Sequence, residues 1–243
     1  MVIIRCTGSS SAGNNYVIEC EGEKLLIEAG IHIKYVEQAL DFNLRGIAGV
    51  IITHEHLDHA AFVKQFLHVG IPVFATEGTL KMLDIQANYL ARPVTYRVPF
   101  QVGRYRIMSF DTEHDAKQPC GFLIDCPDGN RILFVTDTKY LRYKFQNVNI
   151  FMIECNYDRK LLINNMNEGI VNRTVAKRIV DSHMSLRQCI ATLQSNDLTK
   201  TKAIMLIHLS NDNSRKEEFI EAVKKATGKM VFVAKHGSFC DIL

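Results

Sequence analysis

Residues 53–59 read Thr53-His54-Glu55-His56-Leu57-Asp58-His59, directly behind the apolar run Gly49-Val50-Ile51-Ile52. Four side chains able to ligate a metal fall within six positions, in the pattern H-x-H-x-D-H. His54 and His56 alternate at the end of a predicted strand over Gly49–Thr53, so both imidazoles face one side. A helix is predicted from Leu57, which puts Asp58 and His59 in its first turn, where a carboxylate also suits the positive end of the helix dipole. Donors from a strand end and from a helix start then approach one cavity from two directions. A polar surface turn is the bland alternative, and the density of ligand types behind a buried strand weighs against it. The H-E-x-x-H pattern that His54-Glu55 begins is not completed, because Asp58 occupies the second histidine position.

Working outward, three more ligand types sit where apolar strands surface, the usual place for sites in layered α/β folds. His114 follows the run ending at Phe110, in Asp111-Thr112-Glu113-His114-Asp115-Ala116. Asp137 follows Ile132-Leu133-Phe134-Val135, and His208 follows Ala203-Ile204-Met205-Leu206-Ile207. Taken singly, a strand-end Asp caps a turn and a strand-end His is merely satisfied there; their number beside the first motif gives them weight.

Predicted strands are Val2–Cys6, Tyr16–Cys20, Lys24–Glu28, Gly49–Thr53, Pro72–Ala75, Tyr105–Phe110, Gly121–Cys126, Arg131–Thr136, Ile150–Glu154, Ala203–His208 and Met230–Ala234, many β-branched and bounded by Gly, Asn or Asp. Asp128-Gly129-Asn130 is a turn signal. Apolar spacing of three and four predicts helices over Ile33–Leu40, Leu57–Leu67, Thr79–Asn88, Leu186–Gln194 and Ser214–Lys225. The last begins with a capping-box pattern, Ser214 and Glu217, and Gly228 follows it. Arg159–Asp181 is the least regular stretch and is read as an excursion or flap. Strands and helices intermixed in both halves argue a layered α/β fold, read as a single domain over 1–243.

A hydrophobic share of 47% over 243 residues suits a globular chain with a substantial core. The net charge of +3, with no tract of like charge, does not by itself mark a nucleic-acid binder. The seven cysteines are scattered without a C-x-x-C pair, and are read as buried core thiols of a reducing compartment. With no signal-peptide pattern and no membrane-length apolar run, the expectation is a cytoplasmic protein without membrane contact.

Ordered as His54/His56/Asp58/His59, His114, Asp137 and His208, the chain resembles the metallo-β-lactamase superfamily in its two-metal phosphodiesterase form. The blocks Gly8-Ser9-Ser10-Ser11-Ala12-Gly13-Asn14, Leu26-Ile27-Glu28-Ala29-Gly30, His114-Asp115-Ala116, Thr136-Asp137-Thr138, Glu154-Cys155-Asn156-Tyr157-Asp158 and His208-Leu209-Ser210-Asn211-Asp212-Asn213 resemble its YycJ (WalJ) branch. The resemblance implies an αββα four-layer sandwich with the site at one edge of the sheets. It implies that His54, His56 and His114 hold one metal, that Asp58, His59 and His208 hold a second, and that Asp137 bridges them. Such ligands suit zinc, manganese or iron. Two departures stand out: Glu28 replaces the family's usual Asp, and Ser182-His183-Met184-Ser185-Leu186-Arg187 replaces Gly-His-Leu-Ser-Asn-Glu.

The implied chemistry is phosphodiester hydrolysis by a metal-bridging hydroxide, with two ions clamping the attacking and leaving oxygens. Asp58 is a candidate to orient the water, and His183 to protonate the leaving alkoxide, held by Glu154, Asn156 and Asp158. A plain helix-start residue next to Ser182 is the nearly equal alternative for His183. His32, His68 and His236 are read as capping, surface or turn residues. Ser10 and Asn14 are candidates for contact with a phosphate backbone. The branch implies 5′-to-3′ exonuclease action on DNA; Arg159, Lys160, Arg173, Lys177, Arg178 and Arg187 add a basic bias for phosphates, and Tyr157 a ring for stacking. Two other readings stay open. One is a small-molecule phosphodiesterase, or a lactonase, with the same ligands; the other is a non-catalytic, metal-stabilised binding protein.

Overall fold

The computed structural model describes residues 1–235 and 237–242, the last five through their backbone. His236 therefore lies outside the described residues, as does the side chain of Cys240. The chain forms two compact units: Met1–Asp111 with Ala116–Arg131 and the residues from Ala234 onward, and Thr112–Asp115 with Ile132–Val233.

In the first unit, β1 (Val2–Gly8), β2 (Asn15–Cys20) and β3 (Glu23–Ile27) form an antiparallel meander, and β14 (Ser238–Ile242) pairs along β1. Parallel strands then follow: β4 (Ile47–Ile51) beside β3, β5 (Val73–Thr76) and β6 (Ala91–Val94). Parallel neighbours need crossovers, and these carry α1 (Ile33–Ala39), α2 (Leu57–Ala60), α3 (Val63–His68) and α4 (Glu77–Met82). Val36, Phe66 and Leu80 from the helices pack with Leu26, Val50 and Val73 from the strands in one buried cluster. β7 (Pro99–Val102), β8 (Tyr105–Asp111) and β9 (Cys120–Asp125) are antiparallel. The turn after β9 forms as predicted, with Gly129 N donating to Cys126 O at 3.0 Å.

The second unit holds four parallel strands, β10 (Arg131–Val135), β11 (Ile150–Glu154), β12 (Ala203–Ile207) and β13 (Met230–Val233). Its helices are α5 (Arg159–Asn167), α6 (Arg173–Ser182), α7 (Leu186–Ser195) and α8 (Lys216–Thr227). Every residue of β11 and β12 is buried, the continuous apolar run of a strand covered on both faces. The register aligns Val135 with Ile153 and Ile153 with Leu206, so the carboxyl ends of β10, β11 and β12 come level. Asp137, Glu154 and His208 stand at that edge, where ligands of parallel sheets bind.

Several expectations are corrected. The helix predicted over Leu57–Leu67 breaks into α2 and α3, because Phe62 N donates to Ala29 O at 2.9 Å instead of continuing the helix. Thr79–Asn88 begins earlier and ends at Met82, since Thr76 caps the start. The capping box at Ser214 does not form: Arg215 is the N-cap, and Ser214 Oγ donates to Ser210 O at 2.6 Å. Gly228 does end that helix, at φ 68°. Arg159–Asp181 is not irregular but supplies α5 and most of α6, capped by Asp158 and Asn172; charged residues interrupt the apolar stripe of Leu162, Ala176 and Ile179. The unpredicted β6 and β7 carry Pro93 and Pro99 and lie at sheet edges, where a missing N–H is tolerated. The six described cysteines are buried, as expected of core thiols. No helix among the described residues is long and apolar enough to cross a membrane.

Candidate active site

In the first unit, His56 is the N-cap of α2, but its imidazole makes no capping bond. Asp58 and His59 occupy the first turn as predicted, His59 fully buried. The ring of His54 lies 4.7 Å from that of His56 and 4.2 Å from that of His59, so three imidazoles gather there. Asp58 Oδ2 is 3.2 Å from His59 Nε2.

A single carboxylate reaches His54 through Thr53 and stands beside His59. Glu28, buried and at φ 67°, accepts from Thr53 Oγ1 at 2.5 Å and from Thr53 N at 3.2 Å. With its proton committed to Glu28, Thr53 Oγ1 accepts from His54 Nδ1 at 2.9 Å, which leaves the Nε2 lone pair of His54 as the donor. Glu28 Oε1 also lies 3.3 Å from His59 Nδ1, and Asn14 Nδ2 lies 3.3 Å from His59 Nε2. Backbone bonds staple the loops before β2 and after β3 to the motif: Asn14 N to Asp58 O and Ala29 N to His59 O, both 2.7 Å. A Cβ on Gly30 would fall 1.7 Å from Asp58 O, so that close approach requires glycine. Glu28→Ala is expected to leave the buried Thr53 donors unmet and to cost about 1–3 kcal/mol; urea unfolding of metal-free protein, compared with Glu28→Gln, measures it.

In the second unit, His114 Nδ1 donates to Ser182 O at 3.2 Å, and His114 Nε2 lies 3.4 Å from Asp137 Oδ2. Asp137 Oδ1 is 3.5 Å from His208 Nδ1. Asn156 Nδ2 is 2.8 Å from His208 O and 3.2 Å from its Nδ1. Asp137 and His208 hold φ of 44° and 55°, a conformation that non-glycine residues rarely adopt and that concentrates at functional sites. Glu154, fully buried, accepts from Thr138 N and Met184 N, each at 3.1 Å, and lies 2.6 Å from His183 Nδ1. His183 stacks on His208 with 5.4 Å between centroids. Donor atoms of Asp137, Glu154, His183 and His208 all lie within 4.8 Å of one another.

The electrostatics separate the histidines. Burial pushes the His114 imidazole below its ordinary pKa, outweighing the pull of Asp137, and a neutral ring is what ligation needs. Burial acts the same way on His183, but the charge and hydrogen bond of Glu154 override it and hold its pKa above the usual value. Glu154 is depressed despite its burial, chiefly by the charge of His183.

The donor set fits a divalent cation. Glu28 and Glu154 are fully buried, and among the described residues neither has Lys or Arg in ion-pair range. Glu154 has the raised His183 imidazole beside it, but Glu28 demands positive charge from another source, and the His54 ring linked to it through Thr53 presents a lone pair at Nε2.

Some predicted roles are corrected. Of the three residues expected to hold His183, only Glu154 touches it; Asn156 holds His208, and Asp158 caps α5. His183 lies at the end of α6 and not at a helix start. Tyr157 is 3% exposed and offers no open ring face for stacking. Asn14 is buried against Asp58 and His59, while Ser10 accepts from Asn14 through its carbonyl. His32 caps α1 and His68 ends α3, as read. Sequence reasoning missed Thr53, the relay from Glu28 to His54; its place next to the first histidine was the available signal.

Residues 24–209 match the family model described as Beta-lactamase superfamily domain. The chain is 27% identical over 225 residues to "Exodeoxyribonuclease YycJ" of Bacillus anthracis, covering 86% of this chain and 83% of that one. It is 28% identical over 226 residues to "Exodeoxyribonuclease WalJ" of Streptococcus pneumoniae, covering 86% and 82%. Among solved structures, the metallo-β-lactamase fold protein YhfI from Bacillus subtilis aligns with a TM-score of 0.74 at 14% identity, covering 98% of both chains.

Proposed function

Because this chain belongs to the β-lactamase superfamily and has the metallo-β-lactamase fold of its hydrolases, we propose that it is a metal-dependent phosphodiesterase acting on DNA as a 5′-to-3′ exonuclease. In this reading His54, His56, Asp58, His59, His114, Asp137 and His208 would hold two divalent ions. When bound, such ions supply Lewis-acid activation of water near neutral pH. Zinc or manganese suits the donors best, and iron also fits. Asp58, with its side chain 22% exposed beside buried His59, would orient that water. The family match crosses the sequence of both units, which supports one domain over 1–243.

One observation carries the phosphodiesterase reading: the pair His183–Glu154 at 2.6 Å, beside the donors Asp137 and His208. Cleaving a phosphodiester expels an alkoxide that needs a proton, and an imidazolium held protonated by a buried carboxylate can deliver it. The DNA reading draws its support from the names of the two bacterial relatives, and six buried cysteines in the core favour a reducing, cytoplasmic setting.

End-labelled single- and double-stranded DNA, supplied with Mn²⁺ or Zn²⁺, tests this beside bis(p-nitrophenyl) phosphate. Wild type is expected to shorten the DNA from its 5′ end, and Asp58→Ala to fall by about 10²–10⁴-fold, the scale of a lost general base. Turnover of the ester with intact DNA would overturn the nuclease in favour of a small-molecule phosphodiesterase. Inertness toward both would point to the metal-stabilised binding protein.

A further inference from the structure

The second unit carries a cavity of about 570 Å³ that the hydrolytic reading does not use. Its lining is two-faced. Ile163, 46% exposed on α5, and Val180 on α6 form an apolar floor, with Tyr157 at its edge. Arg159, Lys160 and Arg187 supply three cations, and among the described residues no carboxylate lies in ion-pair range of any of them. The carboxylate that lines the cavity, Asp158, is committed elsewhere: its Oδ1 accepts from Lys160 N at 2.9 Å and Leu161 N at 3.0 Å. The fourth cation in the lining, Lys139, is 3.7 Å from Asp181.

The cavity adjoins the second unit's ionisable cluster. Tyr157 and Ser185, both in its wall, form a parallel β-bridge, and Leu186 N donates to Tyr157 O at 2.9 Å. Tyr157 lies three residues beyond Glu154, and Ser185 two beyond His183. The segments that present that buried acid and imidazole therefore continue directly into the cavity wall.

Three unneutralised cations beside an apolar floor ask for a ligand that is anionic along one side and flat and apolar along the other. A nucleotide within a single strand has that form: its phosphates meet the cations and its unpaired base covers the aliphatic surface. A duplex hides its bases and would use only the cations. The volume falls within the roughly 300–1,000 Å³ of ligand sites. Resting on the nuclease reading for its substrate class, we propose that this cavity binds one nucleotide of a single-stranded DNA substrate, flanking the cleavage centre, with Arg159, Lys160 and Arg187 on phosphates and Ile163 and Val180 under the base.

The test is fluorescence anisotropy of fluorescein-labelled oligothymidylate with full-length protein in EDTA, over a range of salt. EDTA removes turnover, so a wild type that proves hydrolytically inert leaves this result standing, and a failure here leaves the hydrolysis assay standing. The triple variant Arg159→Gln/Lys160→Gln/Arg187→Gln is expected to bind about tenfold or more weakly, with a log–log salt slope shallower by about 2, as for three lost phosphate contacts on a single strand. Ile163→Ser is expected to weaken oligothymidylate several-fold with the slope unchanged, because it removes a base contact and no charge. Duplex DNA should be indifferent to Ile163→Ser. Wild-type affinity and slope in the triple variant, with melting curves confirming folded protein, would overturn the proposal, as would equal loss of duplex and single strand in Ile163→Ser.

Discussion

Asp137→Ala is expected to lose bound divalent metal and to lower phosphodiester turnover by about 10³-fold or more. The carboxylate is buried, two residues beyond the end of β10, with one oxygen 3.4 Å from His114 Nε2 and the other 3.5 Å from His208 Nδ1. Each oxygen thus serves a different imidazole. Charge stabilisation by a bound cation amounts to several kcal/mol, and about 4 kcal/mol corresponds to three decades in rate. Alanine also removes the acceptor for Thr136 Oγ1, 2.9 Å away. Asp137→Asn separates charge from shape: it keeps the side chain's size and should still lose metal. Elemental analysis of purified protein, together with initial rates on bis(p-nitrophenyl) phosphate, measures both quantities. A variant with wild-type metal content and rate would remove Asp137 from the ligand set.

The second large effect is expected at His183, and it has the opposite signature. His183→Ala should retain metal and lose about 10²–10⁴-fold in turnover, the scale of a general acid. The ring is partly exposed, and its Nδ1 is taken by Glu154, so Nε2 remains to exchange a proton with substrate. Rate loss should depend on the leaving group, being largest for alkyl esters and smallest for nitrophenyl esters, whose phenolate departs without a proton. Glu154→Gln removes the charge that raises His183. A group that must be protonated then loses its proton at lower pH, so the alkaline limb of turnover should move to lower pH. Uniform loss on all esters, with no displacement of that limb, would demote the pair to a structural role.

Much of this was legible in the chain, and the failures have particular causes. The apolar runs behind His54, Asp137 and His208 are the buried stretches of strands with parallel neighbours, and such continuous hydrophobicity is legible in the sequence. The H-x-H-x-D-H spacing placed Asp58 and His59 in a helical turn because that geometry is local. Leu57–Leu67 was misread as one helix because Phe62 N–H is drawn away by Ala29, 33 residues earlier, a competition that periodicity does not register. α6 was missed because Arg173, Lys177, Arg178 and Asp181 crowd its exposed side, and its apolar residues are few.

What the amino-acid order alone settled was the kind of chemistry: which donor types are present, that they follow buried strands, and that β3, β4, α2, β10, β11 and β12 would exist to carry them. Folding settled the assignments. Glu28 meets Thr53 and His59, Glu154 meets His183, and Asn156 meets His208 across 25 to 52 residues of chain. Those pairings depend on strand register and on backbone at positive φ, as at Glu28, Asp137 and His208, and both come from packing at long range rather than from neighbouring residues.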